Sequence, residues 1–484
     1  MWWSTSKPPA KEGFLRTASP NECRCIARES LGFYGGLLVG GTYEFSAAVE
    51  VGSISTYTHA LRQCLDCFPP LGSIVVGKGD KSTYFKSCPR LDLAQHVQIL
   101  ERYNGEDEAR SIQEALPDMV NVSWPRSTPA WKVTVIAFSQ QRCFIGFSLS
   151  HSLGDGMSGV AFHRQLLCAL QELPATAEDV VYTSPPKQLA PPFDTPANLP
   201  ISWSFLLAPL LGSLLPKRVA TLFGLGAGGD SVTDRTWTAS PLFYNPNNHR
   251  TGVEMVSIDA TTLDDALRIC RMHNAKLTGL LHRVIINAMS ESFPDSASID
   301  TLAARTPLNM RGPVGRSNDE MGNFILADTQ VHAIQKSDRS QKNTHKIDWE
   351  SARDITNRLA MASTVLQNQS LGLLRYLSDV HAWVSSRVGE RRDCSYELSN
   401  LTSFRPMDSG PIKERCAITE MVFCQPADVL GAPLNFNVVS VANGPMTISV
   451  TWQIGALGLS SEQQEVDFVH SICQGIKSGF AHVA

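Results

Sequence analysis

The stretch "FSLSHSLGDGMSG", Phe147 to Gly159, breaks an apolar run with a histidine, an aspartate and three glycines. Before it, "AWKVTVIAF" and "CFIGFSLS", separated by "SQQR", are rich in β-branched and aromatic residues and predict a β-hairpin. After Gly156, "MSGVAFHRQLLCALQEL" has apolar residues on more than one side and predicts a well-buried helix. His151 therefore stands at the C-terminal end of a strand, on a turn into a helix.

Three physical readings fit that placement. His151 could be a buried structural histidine. It could pair with Asp155 at a metal, although no third ligand is recognisable. Or it could be a general base, since imidazole with a pKa of about 6.5 takes a proton near neutral pH. In the third reading Gly154 and Gly156 permit a sharp turn and close backbone approach, and Asp155 fixes the loop through an ion pair.

Outward from the hairpin, "YEFSAAVEV" (Tyr43 to Val51) predicts a strand and "STYTHALRQCLDCFPPLG" a helix stopped by Pro69 and Pro70. The strand "GSIVVGKG" follows. Between Pro174 and Arg250 the proline-rich "SPPKQLAPPFDTPANLP" and the glycine-rich "LFGLGAGGDS" predict an inter-domain connection. Within it, "ISWSFLLAPLLGSLLP" (Ile201 to Pro216) carries no charge, but is too short and too broken by proline for a comfortable transmembrane helix. A loop over the domain junction and contact with a membrane surface or greasy substrate are its two readings.

The theme then restarts. "VEMVSIDA" predicts a strand, "TTLDDALRICRMH" a helix with Leu263, Ala266, Leu267 and Cys270 on one face, and "LTGLLHRVIINAM" a second with Leu281, Val284, Ile285 and Ala288. "SYELSNLTSF" predicts a strand, "LNFNVVSVANGPMTISVTWQI" a hairpin about Asn443-Gly444, and "EQQEVDFVHSICQGIKSGF" a closing helix. The expected division is 1–185, a connection over 186–250, and 251–484, in an α/β fold with mixed sheets.

With 484 residues, 43% hydrophobic and 18% charged, the chain is globular material for two domains. A formal charge of -4 with no basic block argues against nucleic acid as a partner. The N-terminus has no basic segment followed by a long apolar run, so no secretory signal is expected, and the twelve cysteines read as buried thiols in a reducing cytoplasm. Cys23/Cys25 and Cys64/Cys67 lack a second ligand pair, so no metal is expected. "GSIVVGKG" nearly satisfies a P-loop, but Gly79 stands where magnesium needs a hydroxyl. "GFSLS" starts like a nucleophile elbow without its final glycine, leaving a serine hydrolase as a minor alternative.

With these residues in view, the sequence resembles the CoA-dependent acyltransferase superfamily: chloramphenicol acetyltransferase, BAHD plant acyltransferases, condensation domains and fungal alcohol acetyltransferases. The signature is His-x-x-x-Asp-Gly after a strand, here "HSLGDG". Further likeness to the fungal branch, which includes trichothecene acetyltransferases, lies in "LTGLLHRVIINAM" (277–289), "RTPLNMRGPVGRSNDEMGNF" (305–324), "ELSNLTSF" (397–404) and "NVVSVANGPMTISVTW". The plant Asp-Phe-Gly-Trp-Gly motif is absent. Ser150 also stands where condensation domains commonly have a second histidine, which favours ester formation from a free acyl-CoA.

The resemblance implies two chloramphenicol acetyltransferase-like domains forming a pseudodimer around a tunnel, where acyl-CoA and a small-molecule alcohol meet at His151. It implies an acetyl-CoA co-substrate, no permanently bound cofactor, and a monomer, with membrane association through Ile201 to Pro216 left open. By the same resemblance Asp155, beside Gly156, is structural and pairs with an arginine, for which Arg311 is the candidate. Ser399, Asn400 and Thr402 are candidates for the oxyanion or tunnel wall, and Gly322 and Asn323 for a turn beside the tunnel. A carrier-dependent or non-catalytic condensation-like module is the main alternative.

Overall fold

The hairpin forms as predicted, with strands Trp131–Ala137 and Arg142–Leu149 antiparallel. In this computed structural model the described residues are 12–102, 107–172, 178–183, 185–207, 232–294, 298–334, 347–407 and 415–483. The hairpin lies inside a five-stranded sheet ordered Cys416–Cys424, Leu37–Phe45, Arg142–Leu149, Trp131–Ala137, Val97–Glu101. The strand predicted from Tyr43 to Val51 instead begins at Leu37 and ends at Phe45. Its Gly40-Gly41 pair resembles a break but serves close approach: a Cβ on Gly40 would stand 2.2 Å from the Phe144 ring.

The edge strand of this sheet comes from far along the chain. Cys416–Cys424 runs antiparallel to Leu37–Phe45, with Cys424 opposite Leu38 and Val422 opposite Gly40. The neighbouring strands in sequence, Tyr396–Phe404 and Leu434–Val441, lie instead in a second sheet of seven strands. That sheet is ordered Thr236–Trp237, Thr301–Asn309, Tyr396–Phe404, Leu434–Val441, Met446–Gln453, Thr251–Ile258, with Ile325–Ala333 paired to Thr301–Asn309. Its first four strands are parallel and the hairpin at its other end antiparallel, so it is mixed, as expected. Asn443 takes the left-handed conformation that the hairpin turn requires, at φ 60°.

Helices Ser55–Cys67 and Gly156–Leu170 back the first sheet; Leu277–Ser292 and Glu462–Ala481 back the second. The periodicity of Ala260–Met272 buries Leu263, Ala266 and Cys270, while Leu267 is half-buried. Each core also contains a tyrosine–histidine pair running from helix to strand. His163 Nδ1 lies 2.8 Å from Tyr43 Oη and its Nε2 2.8 Å from the Val39 carbonyl. In the second core, His282 Nδ1 lies 2.9 Å from Tyr396 Oη and its Nε2 2.9 Å from Thr306 Oγ1.

The connecting stretch is part of both layers. Thr236–Trp237 joins the edge of the seven-stranded sheet beside Thr301–Leu302, and Leu189–Asp194 borders a cleft described below. Of the charge-free run, residues 208–216 lie outside the described residues, whereas Trp203 is 77% and Leu207 43% exposed. No described helix is long and apolar enough to cross a membrane. Cys64 is buried and Cys67 exposed, and no cluster of potential metal ligands occurs among the described residues. Ser73–Val76 is strand rather than a phosphate loop, and a Cβ on Gly79 would stand 2.4 Å from the Cys23 carbonyl.

Burial holds His163, His282 and His332 low, at about 4, 3 and 4. The unfolded chain protonates the same residues at about 6.5. It therefore binds more protons than the folded state between those values, and folding stability falls as pH falls through that window. Urea unfolding followed from pH ~7 to ~4 should show a steadily falling midpoint. A midpoint independent of pH there would contradict this packing.

Candidate active site

Asp155 caps the helix Gly156–Leu170: its Oδ1 accepts from Ser158 N at 3.0 Å and from Ser158 Oγ at 3.1 Å. Its carboxylate also takes a two-pronged bond from Arg311, Nη1 to Oδ2 and Nη2 to Oδ1, both 2.9 Å. Phe324 N donates to Oδ2 at 3.0 Å. Both charged side chains are fully buried, at 0% exposure. Burial alone would raise the Asp155 carboxyl; the Arg311 charge and these hydrogen bonds outweigh it and hold the group below the usual carboxylate range.

Arg311 is held equally firmly. Its guanidinium donates to the Glu320 and Gly322 carbonyls at 3.0–3.1 Å and lies 4.8 Å from the Phe324 ring centroid. Gly322 N donates to Ser158 Oγ at 3.1 Å, closing a loop of bonds between the turn Glu320–Phe324 and the helix start. The two motif glycines act by contact rather than by unusual backbone angles. A Cβ on Gly156 would stand 2.6 Å from Leu401, and one on Gly154 2.6 Å from Ser158 Oγ.

This clamp presents His151, which is half-buried. With the proton on Nδ1, turned to its own backbone carbonyl, the ring would leave the Nε2 lone pair free, and among the described residues no hydrogen bond reaches Nε2. Asn323 Nδ2 lies 3.2 Å from both His151 Nδ1 and that carbonyl, and donates to the carbonyl. Burial, then the charges of Arg28 and Arg24, lower His151 to about 4, partly opposed by Asp155. The imidazole is thus held neutral near neutral pH.

Sequence reasoning missed the wall around His151. The helix Pro20–Ser30 turns Arg24, Cys25 and Arg28 toward the site, and Asn323 Nδ2 reaches Cys25 Sγ at 3.5 Å. Arg28 pairs with Asp428 and lies 4.3 Å from the Tyr34 ring centroid; Tyr34 in turn lies 5.8 Å from the His151 ring. Tyr34 Oη donates to Gln425 Oε1 at 3.1 Å, and Gln425 follows the strand Cys416–Cys424. No linear pattern marks these residues, because their proximity depends on that long-range strand pairing. Asn21, Ser152, Leu189, Phe193, Asn323 and Phe324 help line a narrow cleft beside the turn.

The candidates in "ELSNLTSF" lie on the strand Tyr396–Phe404, where Gln425 Nε2 donates to Ser399 Oγ at 3.1 Å. Ser399 Oγ donates to Glu397, and Asn400 Nδ2 to Thr278 Oγ1. Thr402 is exposed at a bulge, with φ 64° and its N–H bonded to Asn400 Oδ1. The serines flanking His151 are also spent: Ser148 donates to the Met119 carbonyl, Ser150 to Glu29, and Ser152 Oγ lies 2.7 Å from Ser150 Oγ. Among the described residues none of the three bonds to His151.

Comparison with known proteins agrees with this architecture. The profile of the alcohol acetyltransferase family matches residues 90–477. The probable alcohol acetyltransferase crmB of Aspergillus fumigatus is 22% identical over 84% of this chain and 86% of its own. The probable alcohol acetyltransferase FCK4 of Fusarium pseudograminearum is 23% identical over 92% and 91%. Among solved structures, the trichothecene 15-O-acetyltransferase TRI3 of Fusarium sporotrichioides superposes with a TM-score of 0.63, covering 99% of both chains at 11% identity. The first condensation domain of the CDA synthetase reaches 0.57 over 97% and 98%, also at 11% identity. The fold is that of the CoA-dependent acyltransferases. Within that class the chain belongs to the alcohol acetyltransferase family, and it is an acyltransferase.

Breaking the buried pair should be costly. Asp155→Asn leaves the Arg311 charge unmatched inside the protein and should lower unfolding stability by about 3–5 kcal/mol. Adding Arg311→Met should recover part of that loss in urea titrations. A double variant no more stable than Asp155→Asn would show that the surrounding hydrogen bonds, rather than the charge pair, govern the clamp.

Proposed function

We propose that this enzyme transfers an acetyl group from acetyl-CoA to a hydroxyl of a small-molecule secondary metabolite, with His151 as general base. One observation carries the reading: the His151 imidazole is placed by Asn323 and the Asp155–Arg311 clamp, and among the described residues no hydrogen bond occupies its Nε2. In this reading Nε2 takes the acceptor's hydroxyl proton as the oxygen attacks the thioester carbonyl. The tetrahedral oxyanion then collapses, the carbon–sulfur bond breaks, and the imidazolium returns its proton to the departing thiolate. No covalent enzyme intermediate is formed. General-base help provides roughly 10²- to 10⁴-fold, so alignment of two bound substrates must supply much of the remaining acceleration.

The same proposal divides the chain into similar halves, residues 1–185 and 251–484, joined by 186–250, with a tunnel between them. The paired Tyr43–His163 and Tyr396–His282 contacts, and the Asp155–Arg311 bridge from one half to the other, support it. A monomer working in the cytoplasm completes the reading, and the exposed Trp203 and Leu207 make that surface the candidate for membrane contact. The likeness to condensation domains keeps a carrier-dependent module as the second reading. The commitments of Ser148, Ser150 and Ser152 weigh against a serine hydrolase.

Release of free CoA from a ladder of acyl-CoAs, in the presence of pooled hydroxylated natural products, tests the assignment. His151→Ala should reduce kcat/KM by about 10²- to 10⁴-fold without shifting the unfolding midpoint. Turnover that persists would remove His151 from the mechanism. Activity with an acyl carrier thioester but not with acyl-CoA would favour the condensation-like module.

The pH profile offers a separate check. Protonation disables the base, so kcat/KM should fall on the acid side near pH 4. No inflection is expected at about 6.5, where an unperturbed imidazole titrates.

A further inference from the structure

Arg24, Arg28 and Arg305 share one polar cluster behind the Tyr34 and Cys25 side of His151, and two of them have carboxylate partners. Arg28 pairs with Asp428, and Arg305 with Asp393 at 2.7 Å. Arg24 has none: among the described residues its guanidinium donates only to Asn21 Oδ1, from Nε at 3.2 Å and Nη2 at 3.1 Å. The nearby Glu397 is engaged by Ser399 Oγ at 3.0 Å and Gln425 Nε2 at 3.1 Å. Glu22 is bound by Arg16, and Asp194 by the Asn21 N–H. Arg28, one helical turn from Arg24 and only 7% exposed, also keeps a buried Nε–H with no partner among the described residues.

Such an arrangement has a cost. A half-buried guanidinium without a counterion and a buried N–H without an acceptor both lose hydration. The charge also weakens the neighbouring base, since Arg24 and Arg28 both act to lower His151. An anion brought by a ligand would offset all three costs. The transient oxyanion fits less well, because it exists only during the reaction, whereas Arg24 and the Arg28 Nε–H bear their lost hydration in the resting protein. A fixed anionic group elsewhere on the acceptor fits better. Its planar, two-oxygen form would match the fork of a guanidinium.

We propose that Arg24, together with the Nε–H of Arg28, recognises a carboxylate on the acceptor alcohol, so that the preferred acceptors are hydroxy acids. This rests on the acyl-transfer reading for its substrate role, whereas the binding itself can be measured without turnover. The probes are hydroxylated natural-product carboxylic acids, each paired with its methyl ester, which keeps the hydroxyl and removes the charge. Calorimetric titration of the full-length protein should find the best acids bound about tenfold or more tightly than their esters, as expected for hydrogen bonds to a charged group. Arg24→Gln should erase that preference, Arg24→Lys should keep part of it, and circular dichroism should report an intact fold for both.

The proposal is overturned if no acid in the panel binds better than its ester, or if the preference survives Arg24→Gln. Equal weakening of acids and esters by Arg24→Gln would also overturn it and point to a general effect of the charge on the site. Mass spectrometry of the same mixtures with acetyl-CoA separates the two claims. Ester products without an acid preference would remove this inference and leave acyl transfer standing. An acid preference without any acetylated product would do the reverse.

Discussion

The ion pair between Asp155 and Arg311 is the constraint on which the site depends. Two opposite charges with no solvent exposure persist because every oxygen and most N–H groups have protein partners. The pair connects a helix cap following the five-stranded sheet to a turn following the Thr301–Asn309 strand of the seven-stranded sheet. It consequently fixes the relative position of His151 and Asn323, which come from those two places. Precision at the His151 imidazole is inherited from charge pairing behind it.

In front of the clamp the logic is reversed. Burial, and then the charges of Arg28 and Arg24, lower the proton affinity of His151 and keep it unprotonated near neutral pH. For the general-base role proposed above, a neutral and well-aligned imidazole is the useful state. In that proposal the fold favours correct protonation and geometry over basicity.

Much of this was legible in the sequence, for definable reasons. His151, Asp155 and Gly156 are adjacent in the chain, so the strand–turn–helix pattern exposed them directly. Alternation located the Trp131–Leu149 hairpin, and helical spacing located Leu263, Ala266 and Cys270. Arg311 came from family likeness, since nothing local links residues 156 positions apart. The Gly40-Gly41 pair hid the true start of its strand because their function, making room for Phe144, appears only once the opposite strand is in register. Arg24, Arg28, Tyr34 and Gln425 carried no signal for the same reason. Ser399, Asn400 and Thr402 had suitable chemistry, but their hydrogen-bond partners, Glu397, Gln425 and Thr278 among them, are set by strand and helix packing that composition does not reveal.

The strand Cys416–Cys424 also sets a timetable for the ribosome. The edge of Leu37–Phe45 waits for a partner until residue 424 has been made. At about 5–20 residues per second, that is roughly 20 to 80 seconds. Throughout that interval the nascent N-terminal half carries an open edge strand, the kind of surface that captures other chains. Biosynthesis of this enzyme therefore ends with the completion of its first-made sheet, and a nascent chain that stalls before Cys424 is left with a template for aggregation.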